Sequence, residues 1–107
     1  MTPIDRRLIE HIKDRIVEKF DPSRIIVFGS HARGTAQATS DLDIFVEMES
    51  SRPPLQRAIE VDSIFGLRTW PMDVFVYTPA EVAQLRQQRN SFLSAIESEG
   101  KVLYERR

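Results

Sequence analysis

Residues 24–46 read RIIVFGSHARGTAQATSDLDIFV, and this stretch contains two short apolar segments separated by a polar loop. The first segment, Arg24–Phe28, is short and rich in β-branched residues, which predicts a buried strand. Gly29-Ser30 ends that strand, and a short helix is predicted from His31 to Gly34. The second segment, Leu42–Val46, is predicted to be another strand. A strand, a tight turn, a helix and a strand therefore follow one another within 23 residues.

Outward from this stretch, the hydrophobic pattern alternates between helical and strand periods. Helices are predicted over residues 3–20 and 55–65, and a strand over residues 72–77. Two further helices carry Val82 with Leu85 and Phe92 with Leu93 and Ile96, and an edge strand is predicted over residues 101–104. The order α-β-α-β-α-β-α-α-β predicts an α/β domain whose sheet is covered by helices. The length of 107 residues fits one domain, 1–107.

Two helix starts show the same sequence pattern. Thr2 is predicted to cap the first helix, with Pro3 at the first helical position and an acid, Asp5, three residues after the cap. Thr78-Pro79-Ala80-Glu81 repeats this order and predicts the start of the helix after the third strand. In the helix over residues 55–65, Leu55, Ile59, Asp62 and Phe65 have helical spacing.

Composition and charge exclude several classes of protein. The chain has no cysteine, which excludes disulfides, zinc–thiolate sites and cysteine nucleophiles. Its net charge is −1, without the basic surplus typical of proteins that bind long nucleic acids. No stretch approaches the roughly 18 apolar residues of a membrane span, and no signal peptide is visible. We therefore expect a cytoplasmic protein that binds neither membranes nor long nucleic acids.

Aspartates occupy one face of two predicted strands. Because side chains alternate along a strand, Asp41, Asp43 and Phe45 share one face while aliphatic residues point to the other. Asp73 has the same relation to Phe75 in the third strand. If these strands are neighbours in register, the three carboxylates converge near the strand starts, where they would hold magnesium. An aspartate at a strand start also fits turn chemistry alone, above all at Asp41.

The turn before the acidic strand has the features of a phosphate-binding turn. Glycine at position 29 permits close approach of a ligand, and the Ser30 hydroxyl adds a hydrogen-bond donor at the start of a helix. Arg33 could pair either with a phosphate or with a site aspartate. Ser40 is assigned a supporting role at the acidic turn. A phosphate-binding turn beside a metal-binding strand is the combination that metal-assisted nucleotidyl transfer requires.

Other polar and aromatic residues have simpler interpretations. His31 and His11 are predicted to be solvent-facing helix residues. Trp70 and Tyr77 could stack on a base, but core packing is the commoner use of such side chains. Arg68, near Trp70, is a candidate for a phosphate or partner contact.

The spaced motif resembles that of a known family. Gly29-Ser30, ten intervening residues and Asp41-Leu42-Asp43 resemble the signature of the nucleotidyltransferase superfamily related to DNA polymerase beta. The stretch FGSHARGTAQATSDLDIFV, the third acid in MDVFVY and the ending NSFLSAIESEGKVLYE are similar to the minimal nucleotidyltransferase (MNT) family. The resemblance thus covers nearly the whole chain.

The resemblance implies a fold, a reaction and a partner. It implies a mixed β-sheet with flanking helices, two Mg²⁺ ions held by Asp41, Asp43 and Asp73, and a nucleoside triphosphate, usually ATP. Gly29 and Ser30 would hold the β- and γ-phosphates, with Arg33 and Ser40 on further motif positions. Such proteins accompany HEPN-class toxins as antitoxins, in some members by transferring AMP to a hydroxyl of the toxin.

Two alternatives to protein adenylylation remain open from the sequence. One is an antitoxin that neutralises its partner by contact without catalysis. The other is a transferase acting on a small hydroxylated molecule, although a chain of 107 residues lacks the acceptor-binding segments of such relatives. The acceptor site would then be completed by a partner or a second copy, so homo- and hetero-oligomers both remain open.

Overall fold

The structure is a computed structural model that describes residues 2–106. Helices and strands follow one another in the order expected from the sequence. Their bounds are α1 Arg6–Phe20, β1 Arg24–Phe28, α2 Ser30–Arg33, β2 Leu42–Glu47, α3 Pro54–Ser63, β3 Met72–Tyr77, α4 Pro79–Gln87, α5 Ser91–Glu99 and β4 Lys101–Glu105. No helix within residues 2–106 is long and apolar enough to cross a membrane.

The four strands form one mixed sheet in the order β3-β2-β1-β4. β1 runs antiparallel to both β2 and β4, whereas β2 and β3 are parallel. The parallel pair is joined through α3, because parallel strands require a crossover connection. The predicted mixed sheet flanked by helices is confirmed, and β4 lies at an edge as expected.

Strand alternation divides the core between the two faces of the sheet. On one face, the aliphatic side chains of β2 (Leu42, Ile44 and Val46) pack with buried residues of α1 and α3. On the other face, Phe45 and Ile26 pack against α4 and α5. Asp43 has the same phase as Phe45, so it lies on the face that α4 and α5 cover only in part.

The start of the first helix differs from the prediction. α1 begins after Asp5, whose carboxylate accepts a hydrogen bond of 2.9 Å from the backbone N–H of Leu8. Thr2 lies outside the helix, and its backbone N–H donates to the carbonyl of Thr69. The threonine cap at residue 2 is therefore wrong. The Asp5 carboxylate caps the helix instead, and Thr2 forms a long-range backbone bond to Thr69.

The exposed and buried faces of α3 also differ from the expected stripe. Leu55 and Ile59 are 74% and 58% exposed, whereas Arg57 and Val61 are buried. The guanidinium of Arg57 donates to Glu81 of α4 at 2.7 Å and to the carbonyl of Arg52 at 2.6 Å. This ion pair between helices directs the arginine inward. Apolar spacing alone could not predict that orientation.

The start of α4 agrees with its sequence pattern. Thr78 accepts a hydrogen bond from the backbone N–H of Glu81, and the Glu81 carboxylate accepts one from the N–H of Thr78. This capping box satisfies two backbone donors at once. The same carboxylate binds Arg57, so the cap also fixes α4 against α3.

Candidate active site

The register of the parallel strands brings two of the predicted carboxylates side by side. Asp43 of β2 is the direct partner of Asp73 of β3. Neighbouring strands lie about 4.8 Å apart, and partners in register place their side chains on the same face. Asp41 precedes β2 by one residue and is two residues from Asp43, which gives it the same phase. The three aspartates therefore lie on one face at the start of the parallel pair, with Asp43 and Asp73 side by side.

The turn at Gly29 lies directly against the carboxylate of Asp43. A Cβ atom added at Gly29 would stand 2.3 Å from Oδ2 of Asp43, far inside van der Waals contact. The φ angle of Gly29 is +75° with ψ −155°, a region that is essentially restricted to glycine. Two independent constraints therefore require glycine, and the turn and the acidic strand form one site.

The electrostatics of this site are those of crowded like charges. Burial raises the pKa of the Asp43 carboxyl, and the neighbouring charges of Asp73 and Asp41 raise it further. The positive charges of His31 and Arg33 oppose this shift. Within residues 2–106, no salt bridge reaches any of the three aspartates. The cluster keeps its negative charge free for an external cation.

The donor set suits a hard divalent cation. In the described part of the chain, no three His, Cys, Asp or Glu side chains are close enough to form a complete metal-binding group. Magnesium does not require one, because it binds through one or two carboxylates and takes its other ligands from water and phosphate. The oxygen atoms of Asp43 and Asp73, which are adjacent and form no salt bridge, fit that requirement beside the turn at Gly29. Asp41 and Asp73 are exposed, and Asp43 is half-buried.

The other predicted site residues surround this cluster in different ways. Ser30 is the first residue of α2, directly after Gly29. Arg33 is exposed at the end of the same helix and acts on Asp43 through space. The Ser40 hydroxyl accepts a hydrogen bond of 2.8 Å from the N–H of Gln37, which caps the turn before Asp41.

His31 occupies a different position from the one predicted. Instead of facing solvent, its half-buried ring forms a 3.1 Å hydrogen bond through Nε2 to the carbonyl of Ser40. The sequence contains no periodic signal for this contact, because it joins a helix to an irregular loop nine residues away. His11, in contrast, is exposed on α1 as expected.

Different aromatic residues border the carboxylates from those considered in the sequence. Trp70 packs edge-on against Phe65, and Tyr77 stacks on Phe45, so both serve core packing. Beside the site, the rings of Phe28, Phe75 and Phe92 form a cluster. Their centroids are 5.5 Å apart for Phe28–Phe75, 5.7 Å for Phe28–Phe92 and 5.5 Å for Phe75–Phe92.

Arg68, a candidate for a phosphate or partner contact, is engaged within the chain. Its guanidinium contacts Asp62 at 2.8 Å and donates to the carbonyl of Met72 at 2.9 Å. This interaction holds the loop before β3 against α3. The arginine thus supports the strand that carries Asp73.

Comparison of the sequence with known protein families agrees with the geometry of the site. Residues 10–107 match the family described as polymerase beta, nucleotidyltransferase. The chain belongs to this family. It is a nucleotidyltransferase of the MNT type, as the spaced motif predicted.

A curated relative supports the same assignment. The nucleotidyltransferase is 39% identical over 69 residues to a protein of Thermococcus cleftensis named protein adenylyltransferase MntA. The match covers 61% of this chain and 68% of the relative.

Two solved structures share the fold. A putative nucleotidyltransferase from Sulfolobus solfataricus superposes with a TM-score of 0.63 at 22% identity, covering 94% of this chain and 79% of its own. A toxin–antitoxin structure with AMP-PNP superposes with a TM-score of 0.53 at 20% identity, covering 92% and 74% respectively. At these identities the two comparisons concern the fold alone.

Proposed function

We propose that this nucleotidyltransferase is a metal-dependent protein adenylyltransferase that transfers AMP from ATP to a hydroxyl of a partner protein. The partner is a toxin of the HEPN class, and the chain is its antitoxin. We assign the whole of residues 1–107 to one catalytic domain acting in the cytoplasm. The observation that carries this proposal is the pairing of Asp43 with Asp73 in register, directly against Gly29.

The three aspartates would hold the metal ions. Asp41 and Asp43 would bind both Mg²⁺ ions, and Asp73 would complete the second. When bound, the ions supply positive charge that stabilises the attacking and leaving oxygens. The chain itself supplies adjacent carboxylates whose repulsion a cation relieves, which is consistent with the raised pKa of Asp43.

The phosphate-binding role falls to the turn. Gly29 and Ser30 would contact the β- and γ-phosphates, because glycine lets the backbone of the turn lie directly against the carboxylates and Ser30 begins α2 there. Arg33, exposed and without a salt bridge to a site aspartate, is free to approach the triphosphate. Ser40 would act indirectly, by fixing the turn that precedes Asp41.

The reaction is an in-line displacement at the α-phosphorus. The acceptor hydroxyl oxygen forms a bond to that phosphorus while the bond to the bridging oxygen of the leaving pyrophosphate breaks. Asp73, which is exposed near the start of the edge strand β3, would accept the proton of the attacking hydroxyl. The products are the AMP ester of the acceptor and pyrophosphate.

The choice of a protein acceptor rests on similarity. The Thermococcus relative bears the name protein adenylyltransferase, and one structure of the same fold is a toxin–antitoxin complex with AMP-PNP. A partner protein would also supply the acceptor surface that a domain of this size leaves open.

The experiment is an adenylylation assay with the product of the neighbouring gene as acceptor. ATP labelled at the α-phosphate and Mg²⁺ are supplied, and transfer of label to the partner is followed by gel. We expect the wild type to label the partner. Asp41→Asn with Asp43→Asn should reduce labelling by about 10³-fold or more, because several kcal/mol of metal-dependent stabilisation are lost.

Asp14→Asn is the matched control, since this exposed acid of α1 pairs only with Lys13 in the described chain and lies outside the site. It should label the partner as the wild type does. Labelling that survives the double substitution would refute the metal assignment. A wild type that binds and silences the partner without labelling it would instead favour neutralisation by contact.

A further inference from the structure

We infer that His31 is a positioning residue that holds Asp41 in place by binding the backbone of the residue before it. This inference deepens the proposed function and rests on it. His31 follows the Gly29-Ser30 turn, while Ser40 precedes Asp41. The 3.1 Å bond from the His31 ring to the Ser40 carbonyl therefore joins the phosphate-binding half of the site to the metal-binding half.

The chemistry of the two partners determines the direction of this hydrogen bond. A carbonyl oxygen only accepts, so Nε2 of His31 must carry the hydrogen and donate. Either the Nε2-protonated neutral ring or the imidazolium satisfies this requirement. The bond therefore does not depend on the charge of the histidine.

Asp41 needs such support because the sheet does not fix it. β2 begins at Leu42, which is held to the sheet through Met72 and through the carbonyl of Pro71. Asp41 itself is exposed and lies before the first ladder residue.

The turn before Asp41 is held mainly by bonds within itself. Ser40 and Gln37 exchange two hydrogen bonds, of 2.8 and 3.0 Å. In the described part of the chain, the hydrogen bond from His31 to the Ser40 carbonyl connects residues 36–40 to α2. Without it, the turn could move as a unit and carry Asp41 with it.

Packing alone does not fix the orientation of the His31 ring. The ring borders two surface cavities of about 480 and 440 Å³, both of which are also lined by Ile4. A side chain beside open space keeps rotamer freedom unless a directional bond restricts it. The bond to Ser40 supplies that restriction.

The test compares two substitutions at position 31. His31→Gln places an amide N–H near the position of Nε2 and can still donate, whereas His31→Leu retains bulk without a donor. Binding of Mn²⁺ is titrated in the presence of AMP-PNP, and the Mg²⁺ dependence of partner labelling is measured in parallel. His11→Leu, an exposed histidine of α1, is the matched control.

We expect His31→Leu to weaken Mn²⁺ binding about tenfold, as the loss of outer-shell support does in metal sites, and to raise the half-saturating Mg²⁺ concentration equally. The Mn²⁺ affinity of His31→Gln should stay within about twofold of that of the wild type. This difference between the two variants should persist when they unfold at the same temperature. Equal metal binding by the leucine variant and the wild type would overturn the inference, as would an equal loss in both variants.

The metal titration separates this inference from the proposed function. If the wild type binds Mn²⁺ with AMP-PNP but labels no protein, the proposed reaction fails while the comparison of leucine with glutamine still decides the role of His31. If the wild type binds no Mn²⁺, Asp41 is not a metal ligand and the inference is overturned.

Discussion

β2 carries two acids on the same face, and their surroundings are opposite. At one end, Glu47 is paired across the sheet with Arg24 of β1, whose Nε donates to it at 3.1 Å. At the other end, Asp43 faces Phe28 on β1 and Asp73 on β3. On this face of β2, Asp43 near the start lies beside another carboxylate, whereas Glu47 at the end lies beside the guanidinium of Arg24.

At the Glu47 end, which we call the paired end, the acids and arginines form a network of ion pairs. Arg24 also donates to Glu97 of α5 at 2.9 Å, and Glu97 in turn binds Arg86 of α4. The hydrogen bonds from Arg86 and Arg24 lower the pKa of the Glu97 carboxyl, whereas burial and like charges raise that of Asp43. Charge at the Glu47 end of the strand is neutralised by ion pairs within the fold, whereas no salt bridge among the described residues neutralises Asp43 at the other end.

Among single substitutions, the largest effect on activity is expected from Gly29→Ala. The new Cβ would collide with Oδ2 of Asp43, and the positive φ adds about 1–3 kcal/mol of strain. Displacement of a reacting group by an ångström can cost about 10²-fold, so labelling of the partner should fall at least that far. Initial rates of labelling provide the measurement.

Gly34→Ala provides the control for backbone strain. Gly34 has a similar φ of +76°, but a Cβ there meets nothing within 4 Å. We expect a stability loss of about 1 kcal/mol with unchanged activity. Equal loss of activity in both alanine variants would show that strain, rather than contact with Asp43, is responsible.

The largest effect on stability at the paired end is expected from Arg24→Met. The guanidinium is largely buried between two carboxylates, and its removal leaves Glu47 without its cation and Glu97 with Arg86 alone. We expect the free energy of unfolding to fall by about 2–4 kcal/mol, with activity retained below the melting transition.

Denaturant unfolding measures this loss, with Arg15→Met as the control. Arg15 pairs with Glu18 at 3.6 Å on the surface of α1, where such a pair contributes about 0.5 kcal/mol or less. A loss at Arg24 no larger than that at Arg15 would contradict the network's role.

Neutralising the two acids of β2 should have effects of opposite sign. Without divalent metal, Asp43→Asn removes a repelled charge, so its unfolding temperature should rise. Glu47→Gln removes a paired charge, and its unfolding free energy should fall by about 1 kcal/mol. Thermal unfolding in chelator tests both variants, and shifts of the same sign would break the contrast between the two ends.

The smallest effect concerns pH. The ordinary pKa of Glu97 is near 4.5, and its value in the folded chain is lower. Its stabilising contribution is therefore fully present above the ordinary value and is lost as pH falls through the lowered one. The stability difference between wild type and Glu97→Gln should be constant near neutral pH and disappear as pH falls through the lowered pKa of Glu97. A difference that persists under acid would contradict this.

Local patterns predicted much of the fold. The bounds of β1 and β3 and the capping box at Thr78 are as expected, because β-branched runs and cap signals act within a few residues. Strand phase placed Asp43 and Asp73 on their faces, but the register that joins them depends on the pairing of two distant segments. The sequence allowed that pairing without determining it.

The errors share a physical cause. α1 begins after Asp5, while Thr2 is engaged by Thr69, and the face of α3 is set by the bond from Arg57 to Glu81. His31 similarly bonds to a loop carbonyl. In each case a partner outside the local window outweighed the local preference. Periodicity contains no information about such partners.

If Asp73 acts as proposed, its pairing with Asp43 also makes catalysis a reporter of folding accuracy. A slip of β3 by one residue would turn Asp73 to the opposite face and present Val74 or Met72 in its place, while most backbone hydrogen bonds could form again. Such a molecule would be folded yet inactive. The fraction of active enzyme in a refolded sample would then equal the fraction of chains in which β3 pairs with β2 in the native register.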